Sequence, residues 1–505
     1  MPEQYEIEGV ISDAERKFDR YRKTISLFIG PIIFFILLLT PMPFLSTEAH
    51  RLSAVIGLVL IFWVGEAIPI PATAILGAIL CVILGVAKST TVFAPFAHPI
   101  IFLFIGSFML AEAMKVHQLD YRIALSIISL PWIGNSYYKV FFAIAVIPIF
   151  ISMWISDSAT TAMMYPITLG ILSTVNQLTK GTGSKFDVGL LLTIAYAALI
   201  GGIGTPIGTP PNLIGIGMID KLLGVKIPFY LWMTMAFPIM FAMLIMMLLY
   251  MFSIYKPPAK EIKGLSDFIK QRRSEMGAWT RGQKNAISAF VIAITLWILP
   301  GIAAAVFGTE SNIYKFFDAH FHEEVVSLVA VLILFLTPVD WKNRKFTISW
   351  NEAVKIDWGT IILFGGGLSL GGLMFSTKLA DFIGNILLKI TGVDTLWGIT
   401  AVAIGLAIIT TEVTSNTATA NMLVPLMISV SKTAGVSGIP PAIGVCLGAS
   451  MAFMLPVSTP SNAIVYGTGR VPITSMIRAG IILDIISFFV ILIGLRILCP
   501  LLGLM

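Results

Sequence analysis

Long apolar segments separated by short polar ones run along almost the whole chain. Most apolar segments are about 17–24 residues long, the length that a helix needs to cross a bilayer, and two are double segments too long for a single crossing. The predicted segments are 24–45, 52–69, 72–87, 98–117, 139–176 (double), 188–222, 231–254, 285–307, 324–339, 359–377, 396–432 (double), 440–466 and 476–501. With the double segments as re-entrant hairpins, the pattern predicts an all-α polytopic membrane protein of about 11 transmembrane helices.

Clusters of hydroxyl, carboxylate and amide side chains interrupt both double segments. They are Ser156–Ala162 and Ser415–Asn421. Oxygen-bearing side chains at membrane depth are costly unless protein, water or an ion satisfies them. Two such clusters at corresponding places in two halves of a chain indicate a polar binding site in the middle of the membrane.

The two halves of the chain repeat one another. Three pairs of blocks correspond, at offsets of about 260, 259 and 250 residues: Ile101–Gly106 with Ile361–Gly366, Ser156 with Ser415, and Thr209–Asn212 with Thr459–Asn462. Three blocks in the same order at nearly one offset rarely arise by chance. In the predicted topology 98–117 and 359–377 cross the membrane in opposite directions. The repeats are therefore predicted to be inverted, as in many secondary transporters.

A stretch rich in proline and small residues follows each cluster and predicts a broken helix. The stretches are Gly201–Asn212 and Leu455–Asn462. Proline removes a backbone donor, and glycine costs about 1 kcal/mol relative to alanine inside a helix. Either stretch alone favours an ordinary proline kink. Paired with the two clusters, they favour unwound backbone whose carbonyls bind a cation and whose helix N-termini bind an anion.

Composition and charge exclude a soluble protein and predict the orientation. Of 505 residues, 57% are hydrophobic and 12% are charged, against about 25% charged in soluble domains. The net charge of +6 reflects basic loops, which concern orientation in the membrane rather than nucleic acid. Counting crossings puts the basic segments on one side: Arg20–Lys23, Lys256–Lys284, Lys342–Lys355 and Arg470–Arg478. We therefore expect an integral protein of the cytoplasmic membrane with a cytoplasmic N-terminus.

Other polar and sulfur-containing side chains in apolar segments are interpreted as structural. Glu66, Glu112 and Glu412 are read as hydrogen-bonding groups rather than members of a proton relay. Gly367–Gly371 matches the G-x-S-x-G motif of hydrolases, but it lies in an apolar span with no strand before it, which favours helix packing. The three cysteines have no pair spacing and predict neither a disulfide nor a metal site.

These motifs resemble those of the divalent anion/sodium symporter family, the di- and tricarboxylate carriers. The family has a Ser-Asn-Thr motif at each of two re-entrant hairpin tips. Here the second motif is intact as Ser415–Thr417, and the first reads Ser156–Ser158, with Asp157 in place of the amide. The matches outside the tips are Thr209–Asn212, Thr459–Asn462 and Trp63–Pro71. The resemblance covers nearly the whole chain, roughly from residue 50 to 500.

The resemblance implies a secondary active transporter of C4 or C5 dicarboxylates, such as succinate, malate, fumarate or 2-oxoglutarate. Sodium ions would be co-transported, and the protein would be a homodimer in membrane lipid. It implies an elevator-type transporter, with a scaffold of residues 1–138 and 255–395, the latter including a cytoplasmic loop. The moving transport unit would comprise residues 139–254 and 396–505, each with one hairpin and one broken helix.

The resemblance also implies the ligands. The substrate would contact Asp157, Ser158, Thr209, Pro210, Asn416, Thr417, Thr459 and Pro460. A first sodium site would use Ser152, Ser156, Asp157 and the carbonyl of Gly208, and a second would use Thr411, Thr414, Asn416 and Ser458. Hydroxyls, amides and carbonyls suit these roles, because a hard cation takes oxygen ligands and helix N-termini bind carboxylates without a permanent charge.

Asp157 leaves a second mode of transport open. An ionised carboxylate beside an anionic substrate repels it unless a cation or a proton compensates. Sodium-coupled symport is the first hypothesis, and sodium-independent exchange of one dicarboxylate for another is the second. A membrane-embedded enzyme or a channel is more remote, because the chain has neither an H-E-x-x-H motif nor a T-V-G-Y-G filter.

Overall fold

The computed structural model describes residues 13–179, 185–256 and 265–505. Lys260 and Lys263 of the predicted cytoplasmic loop lie outside these ranges. The described chain is helical apart from one antiparallel ribbon, in which β1 (Pro338–Asp340) pairs with β2 (Lys345–Phe346). The ribbon modifies the all-α prediction at one loop, where a proline follows the end of a helix and Arg344 takes a positive φ of 49°.

Eleven helices precede the long polar segment. They are α1 (Asp13–Leu39), α2 (Thr47–Gly65), α3 (Ile70–Ile83), α4 (Ser89–Phe93), α5 (Pro99–Val116), α6 (Leu119–Ile128), α7 (Tyr137–Ser152), α8 (Asp157–Thr179), α9 (Lys185–Gly202), α10 (Pro210–Leu223) and α11 (Phe229–Ile254). A 3₁₀ turn, Ala94–Ala97, joins α4 to α5. The first predicted segment, 24–45, is corrected at both ends, because α1 starts in charged sequence and ends two residues before Pro41.

The other helices described follow in the second half. They are α12 (Leu265–Glu275), α13 (Arg281–Phe307), α14 (Asn312–His320), α15 (Glu323–Leu336), α16 (Trp350–Ala353), α17 (Trp358–Ser376), α18 (Leu379–Thr391), α19 (Leu396–Thr411), α20 (Asn416–Thr433), α21 (Ile439–Ala449), α22 (Pro460–Tyr466) and α23 (Ile473–Leu501). Helix α12 lies in the polar segment between the halves.

The order of helices confirms the internal repeat. Repeat one (α2–α11) and repeat two (α13–α23) contain the same kinds of element in the same order: a very short helix, a crossing helix, a hairpin, a broken pair and a long last helix. In repeat one these are α4, α5, α7–α8, α9–α10 and α11, and in repeat two they are α16, α17, α19–α20, α21–α22 and α23. Contacts are reciprocal: α8 packs against α22, and α20 packs against α10. Each hairpin thus contacts the broken helix of the other repeat, as a two-fold relation between inverted repeats requires.

Long apolar helices confirm the predicted fold class. Within the described residues, eight are long and apolar enough to cross a bilayer, counting the continuous stretch Ser89–Val116 as one. Helices α14 and α15 pass the same criterion as a pair bent by 65°. The two remaining predicted crossings correspond to α3 and to the broken pair α21–α22. Neither α3 nor α21 is long enough by itself to be counted as a membrane-spanning helix.

Six of the described helices lie outside the predicted segments: α4, α6, α12, α14, α16 and α18. Helices α6 and α18, of 10 and 13 residues, fall in regions that were predicted to be loops. Both are too short to cross a bilayer, so a search for long apolar segments passes over them. They occupy equivalent places in the two repeats, between the crossing helix and the hairpin, and so lie at the predicted boundaries between scaffold and transport unit.

Candidate functional site

Both hairpin tips are closed by the same serine cap. The Ser156 hydroxyl accepts from the Ala159 N–H at 3.3 Å, and the Ser415 hydroxyl accepts from the Ala418 N–H at 3.1 Å. A serine in this position satisfies one of the free N–H groups at the start of a helix. The following residue, Asp157 in one repeat and Asn416 in the other, is therefore the first residue of α8 or α20 and lies at the positive end of the helix dipole.

An asparagine stabilises each helix break. The Asn212 side-chain amide donates to the carbonyls of Gly202 and Thr205 at 3.0 and 2.7 Å. Asn462 makes the two corresponding bonds in the second break, at 2.9 and 3.0 Å. Unwinding a helix leaves carbonyls without partners, and a buried carbonyl needs one. The last residue of each Thr-Pro-x-Asn motif thus holds the unwound backbone in place.

The two tips and the two breaks line a single cavity of about 530 Å³. All the predicted substrate ligands lie in its wall: Asp157, Ser158, Thr209, Pro210, Asn416, Thr417, Thr459 and Pro460. Helices α8, α10, α20 and α22 all begin at this wall. The cavity therefore combines hydroxyl and amide side chains with the positively polarised ends of helices, which suits a carboxylate ligand.

Charged side chains that sequence reasoning did not assign to the site also line the cavity. They are Glu112, Lys115, Asp120, Lys355 and Asp357. Lys115 lies 3.4 Å from Glu112, and burial raises the pKa of the Asp120 carboxyl. The sequence could have indicated these side chains by their position, because they lie near the end of α5 or just before the start of α17. These ends lie on one side of the molecule, the side that the charge pattern predicts to be cytoplasmic, and the cavity extends toward it.

Oxygen atoms converge where the first sodium site was predicted. A side chain at Gly208 would place its Cβ 2.5 Å from the Gly202 carbonyl oxygen, 2.9 Å from that of Ser152 and 3.0 Å from that of Met153. Only glycine fits this close to the three oxygens, of which that of Gly202 also accepts from Asn212 and that of Met153 from Thr205. The Ser152 hydroxyl is fully buried and has no hydrogen-bond partner among the described residues. An unpaired buried hydroxyl beside clustered carbonyls fits a hard monovalent cation.

The predicted ligands of the second sodium site are only partly brought together. The Thr411 hydroxyl lies 2.7 Å from the Asn416 side-chain oxygen, and Ser458 lies in the cavity wall nearby. The Thr414 hydroxyl instead donates to the carbonyl of Trp63 in α2, at 3.1 Å. The assignment of Thr414 to this site stays a prediction.

The tips differ chemically at their first helical residue. The Asp157 carboxylate accepts from the Ser158 N–H at 2.8 Å. The Ser461 hydroxyl of repeat two lies beside it but makes no hydrogen bond of normal geometry among the described residues. Asp157 is partly exposed to the cavity. A carboxylate in this place adds a negative charge next to the site predicted for an anion, and that charge calls for a cation or proton nearby.

Ser369, the serine of the hydrolase-like motif, has a structural role. It lies within α17 and is buried, and its hydroxyl donates to the Val92 carbonyl at 2.7 Å. A Cβ at Gly367 would collide with the Asn421 side chain, so the glycine permits close packing of α17 on α20. Within the described residues, no group of three or more His, Cys, Asp and Glu side chains could hold a metal.

Comparisons of the sequence give a consistent family. The profile described as the sodium:sulfate symporter transmembrane region matches residues 21–505. A sodium-dependent dicarboxylate transporter, SdcS of Staphylococcus saprophyticus subsp. saprophyticus, is 34% identical over 496 residues, covering 96% of this chain and 93% of the relative. The transporter of the same name from Staphylococcus aureus strain bovine RF122 is 32% identical over 484 residues, covering 94% of this chain and 91% of the relative.

Two solved transporters have a similar fold. The YdaH transporter of Alcanivorax borkumensis matches with a TM-score of 0.54 at 12% identity, over 97% of each chain. MtrF of Neisseria gonorrhoeae, described with a class of antimetabolite efflux pumps, matches with a TM-score of 0.53 at 14% identity, over 95% of this chain and 97% of its own. At these identities the likeness concerns the fold alone.

Proposed function

Because the chain belongs to the sodium:sulfate symporter family, we propose that it is a secondary active transporter that carries C4 and C5 dicarboxylates across the cytoplasmic membrane together with sodium ions. The names of the relatives, which are about one-third identical over nearly their whole length, support both the substrate class and the coupled ion.

One observation carries this proposal: a single cavity is lined by both hairpin tips and both helix breaks. Its volume of about 530 Å³ lies within the usual range for small-molecule sites, about 300–1,000 Å³. A dicarboxylate has two charged ends and a short apolar middle. Related polar groups supplied by two inverted repeats suit such a nearly symmetric anion, with one carboxylate at each tip.

Sodium has a defined task in this arrangement. Bound among the carbonyls at Gly208 and the hydroxyls of Ser152 and Ser156, it would balance the charge of Asp157. The pocket would then accept a divalent anion without direct repulsion from that carboxylate. Sodium binding at the second tip, beside Asn416, would hold the side-chain oxygen of Asn416 so that its N–H₂ group faces the substrate.

We assign movement to the unit made of residues 139–254 and 396–505, which contains both hairpins and both broken helices. It would slide against a scaffold made of residues 1–138 and 255–395, and two scaffolds would form a homodimer. Helices α6 and α18 are the last helices of the two scaffold segments and precede the two hairpins at equivalent places. Their pairing supports a displacement in which both connections move together.

Exchange of dicarboxylates without sodium is the second candidate, and Asp157 is the observation that favours it. A protonated Asp157 would carry no charge and would need no sodium ion to balance it. Anion binding alone would then allow the transport unit to cross, and the empty carrier would be held back by its buried polar groups.

Uptake by purified protein in proteoliposomes tests the transport function. Radiolabelled succinate should accumulate under an inward sodium gradient, and unlabelled malate, fumarate and 2-oxoglutarate should compete with it. Asn416→Ala removes polar contacts worth roughly 1–3 kcal/mol, so the apparent succinate affinity should fall about tenfold or more. Ser431→Ala on the same helix, whose hydroxyl bonds the Met427 carbonyl away from the cavity, should change nothing. Unchanged kinetics in Asn416→Ala would place the substrate site elsewhere.

A further inference from the structure

Two acidic side chains that the proposed transport cycle does not use meet inside the transport unit. Glu412 follows α19 in the second hairpin tip, and Asp484 lies in the middle of α23. Their relative exposures are 2% and 7%. Asp484 stands one turn after Gly480, which packs on the Met454 backbone, and the Met454 N–H donates to Glu412, so the two carboxyl groups lie near each other. Two carboxylates in contact in a buried place repel strongly unless a positive charge joins them.

The donors around the pair are distributed unevenly. Glu412 accepts from the Met454 and Leu455 N–H groups at 2.9 and 3.1 Å and from the Ser458 hydroxyl at 2.7 Å. Three hydrogen-bond donors to one carboxyl group favour the ionised form of Glu412. The Phe453 N–H lies near the Asp484 carboxyl, but neither Asp484 oxygen makes a hydrogen bond of normal geometry among the described residues. The ion pairs found there include neither acid. The pair therefore has negative charge and unpaired oxygen atoms but no basic partner.

Repeat one serves as an internal comparison. Met153 corresponds to Glu412, because each stands three residues before the serine of its hairpin tip. Met240 corresponds to Asp484, because each stands twelve residues after the proline that precedes the last helix of its repeat. Both methionines pack on Gly204, where an added Cβ would lie 2.6 Å from the Met240 sulfur and 3.1 Å from the Met153 Cγ. The same architecture is thus built once with an apolar pair and once with two acids.

The comparison removes the simplest structural explanation. Replacing buried charged groups by apolar ones of similar size is often neutral or stabilising, and repeat one has the apolar version in place. The acids also lie next to the cavity, because Ser458, which donates to Glu412, is part of the cavity wall. An ion that reaches the second tip is therefore one side chain away from the pair.

We propose that Glu412 and Asp484 bind a sodium ion inside the transport unit, at a site that shares no ligand with the two predicted at the hairpin tips. The proposal rests on the proposed function and adds one ion to its cycle. Carboxylate oxygens are suitable ligands for a hard cation. The ion would join α23 to the second tip and, through Leu455 and Ser458, fix the backbone of the second break that contacts substrate.

Counting bound sodium tests the site directly. Purified protein is equilibrated with radioactive sodium without any dicarboxylate, and the ions bound per protomer are measured at saturation. Asp484→Asn and the double variant Glu412→Met with Asp484→Met, which copies repeat one, should each bind one ion fewer than the unaltered protein. Ser487→Met is the matched control. Ser487 lies one turn after Asp484 and corresponds to Met243 of repeat one, so this variant also copies a methionine of repeat one but keeps both acids. The number of sodium ions bound per protomer should therefore stay unchanged.

The outcomes separate this site from the proposed function. An unchanged count in both acid-replacing variants, each verified as folded by its thermal unfolding, would show that the pair holds a proton or nothing, and the proposal would be wrong while sodium coupling at the tips stands. If the unaltered protein binds no sodium at all, both this site and sodium coupling are wrong. Should one variant fail to fold, the other decides, since either removes the Asp484 carboxylate.

Discussion

Asp157 is the side chain on which the mode of transport depends most. It lies at the first turn of α8, in the wall of the cavity, where its counterpart in repeat two is an amide. The substitution is plain in the sequence, and the family resemblance points to its place. The sequence could not reveal that Ser461 from the other repeat lies beside it, because that contact depends on how the two repeats pack.

Asp157→Asn makes the first tip match the second. If sodium balances the carboxylate, the amide should weaken sodium binding about tenfold or more, since two opposite unit charges about 4 Å apart attract by about 4 kcal/mol at an effective dielectric constant of about 20. Sodium should nevertheless still drive uptake. The measurement is the sodium concentration that gives half-maximal succinate uptake. Ser158→Thr, which restores the other altered residue of the tip without a charge change, is the control and should have little effect.

A different result would count against this role of Asp157. If the variant and the unaltered protein need the same sodium concentration, the carboxylate does not take part in the first cation site. If Asp157→Asn creates sodium dependence where the unaltered protein has none, sodium-independent exchange is the native mode.

The broken helices are the elements that the sequence predicted best. Proline and glycine act through the local backbone, so their effect is visible without tertiary structure. Helices α6 and α18 were missed because short helices lack a long apolar signal. The Glu412–Asp484 pair was missed for another reason: Glu412 was interpreted as a hydrogen-bonding group, correctly in that it accepts three bonds. Its partner stands on a separate helix, and no periodicity links the two.

The asparagine in each break should be essential for its shape. Asn462→Ala removes both side-chain bonds to the unwound carbonyls and leaves these acceptors buried. We expect a loss of unfolding free energy of about 1–3 kcal/mol, seen as a lower midpoint of thermal unfolding in detergent. Asn385→Ala is the control, because this exposed asparagine in α18 donates to one carbonyl within its own helix and its loss should have little effect. Equal midpoints for the two variants would contradict the role of Asn462.

The arrangement of the whole molecule as a scaffold and a moving unit is open to a cross-linking test. A Cβ at Gly371 in α17 would lie 3.3 Å from the Cβ of Pro425 in α20, so cysteines at these two positions bring together the proposed scaffold and transport unit. They should form a disulfide in this state, stop uptake, and lose the cross-link in the opposite state. Reduction should restore uptake.

A pair within one unit provides the control for that experiment. A Cβ at Gly215 would lie 3.6 Å from the Cβ of the native Cys446, and both positions belong to the transport unit. Gly215→Cys should therefore cross-link to Cys446 in both states. If the Gly371–Pro425 pair also reacts equally in both states, the two units do not slide past each other, and gating around a fixed site is the better description.

Coupling between sodium and dicarboxylate is the central claim, and the condition of zero net flux measures it most directly. Proteoliposomes with a fixed succinate gradient are placed in a series of sodium gradients at clamped membrane potential, and the sodium gradient at which net succinate flux reverses is recorded. Symport predicts that this reversal point moves with the succinate gradient in a constant ratio. A flux that ignores the sodium gradient, and runs only against dicarboxylate on the other side, would contradict symport and establish exchange.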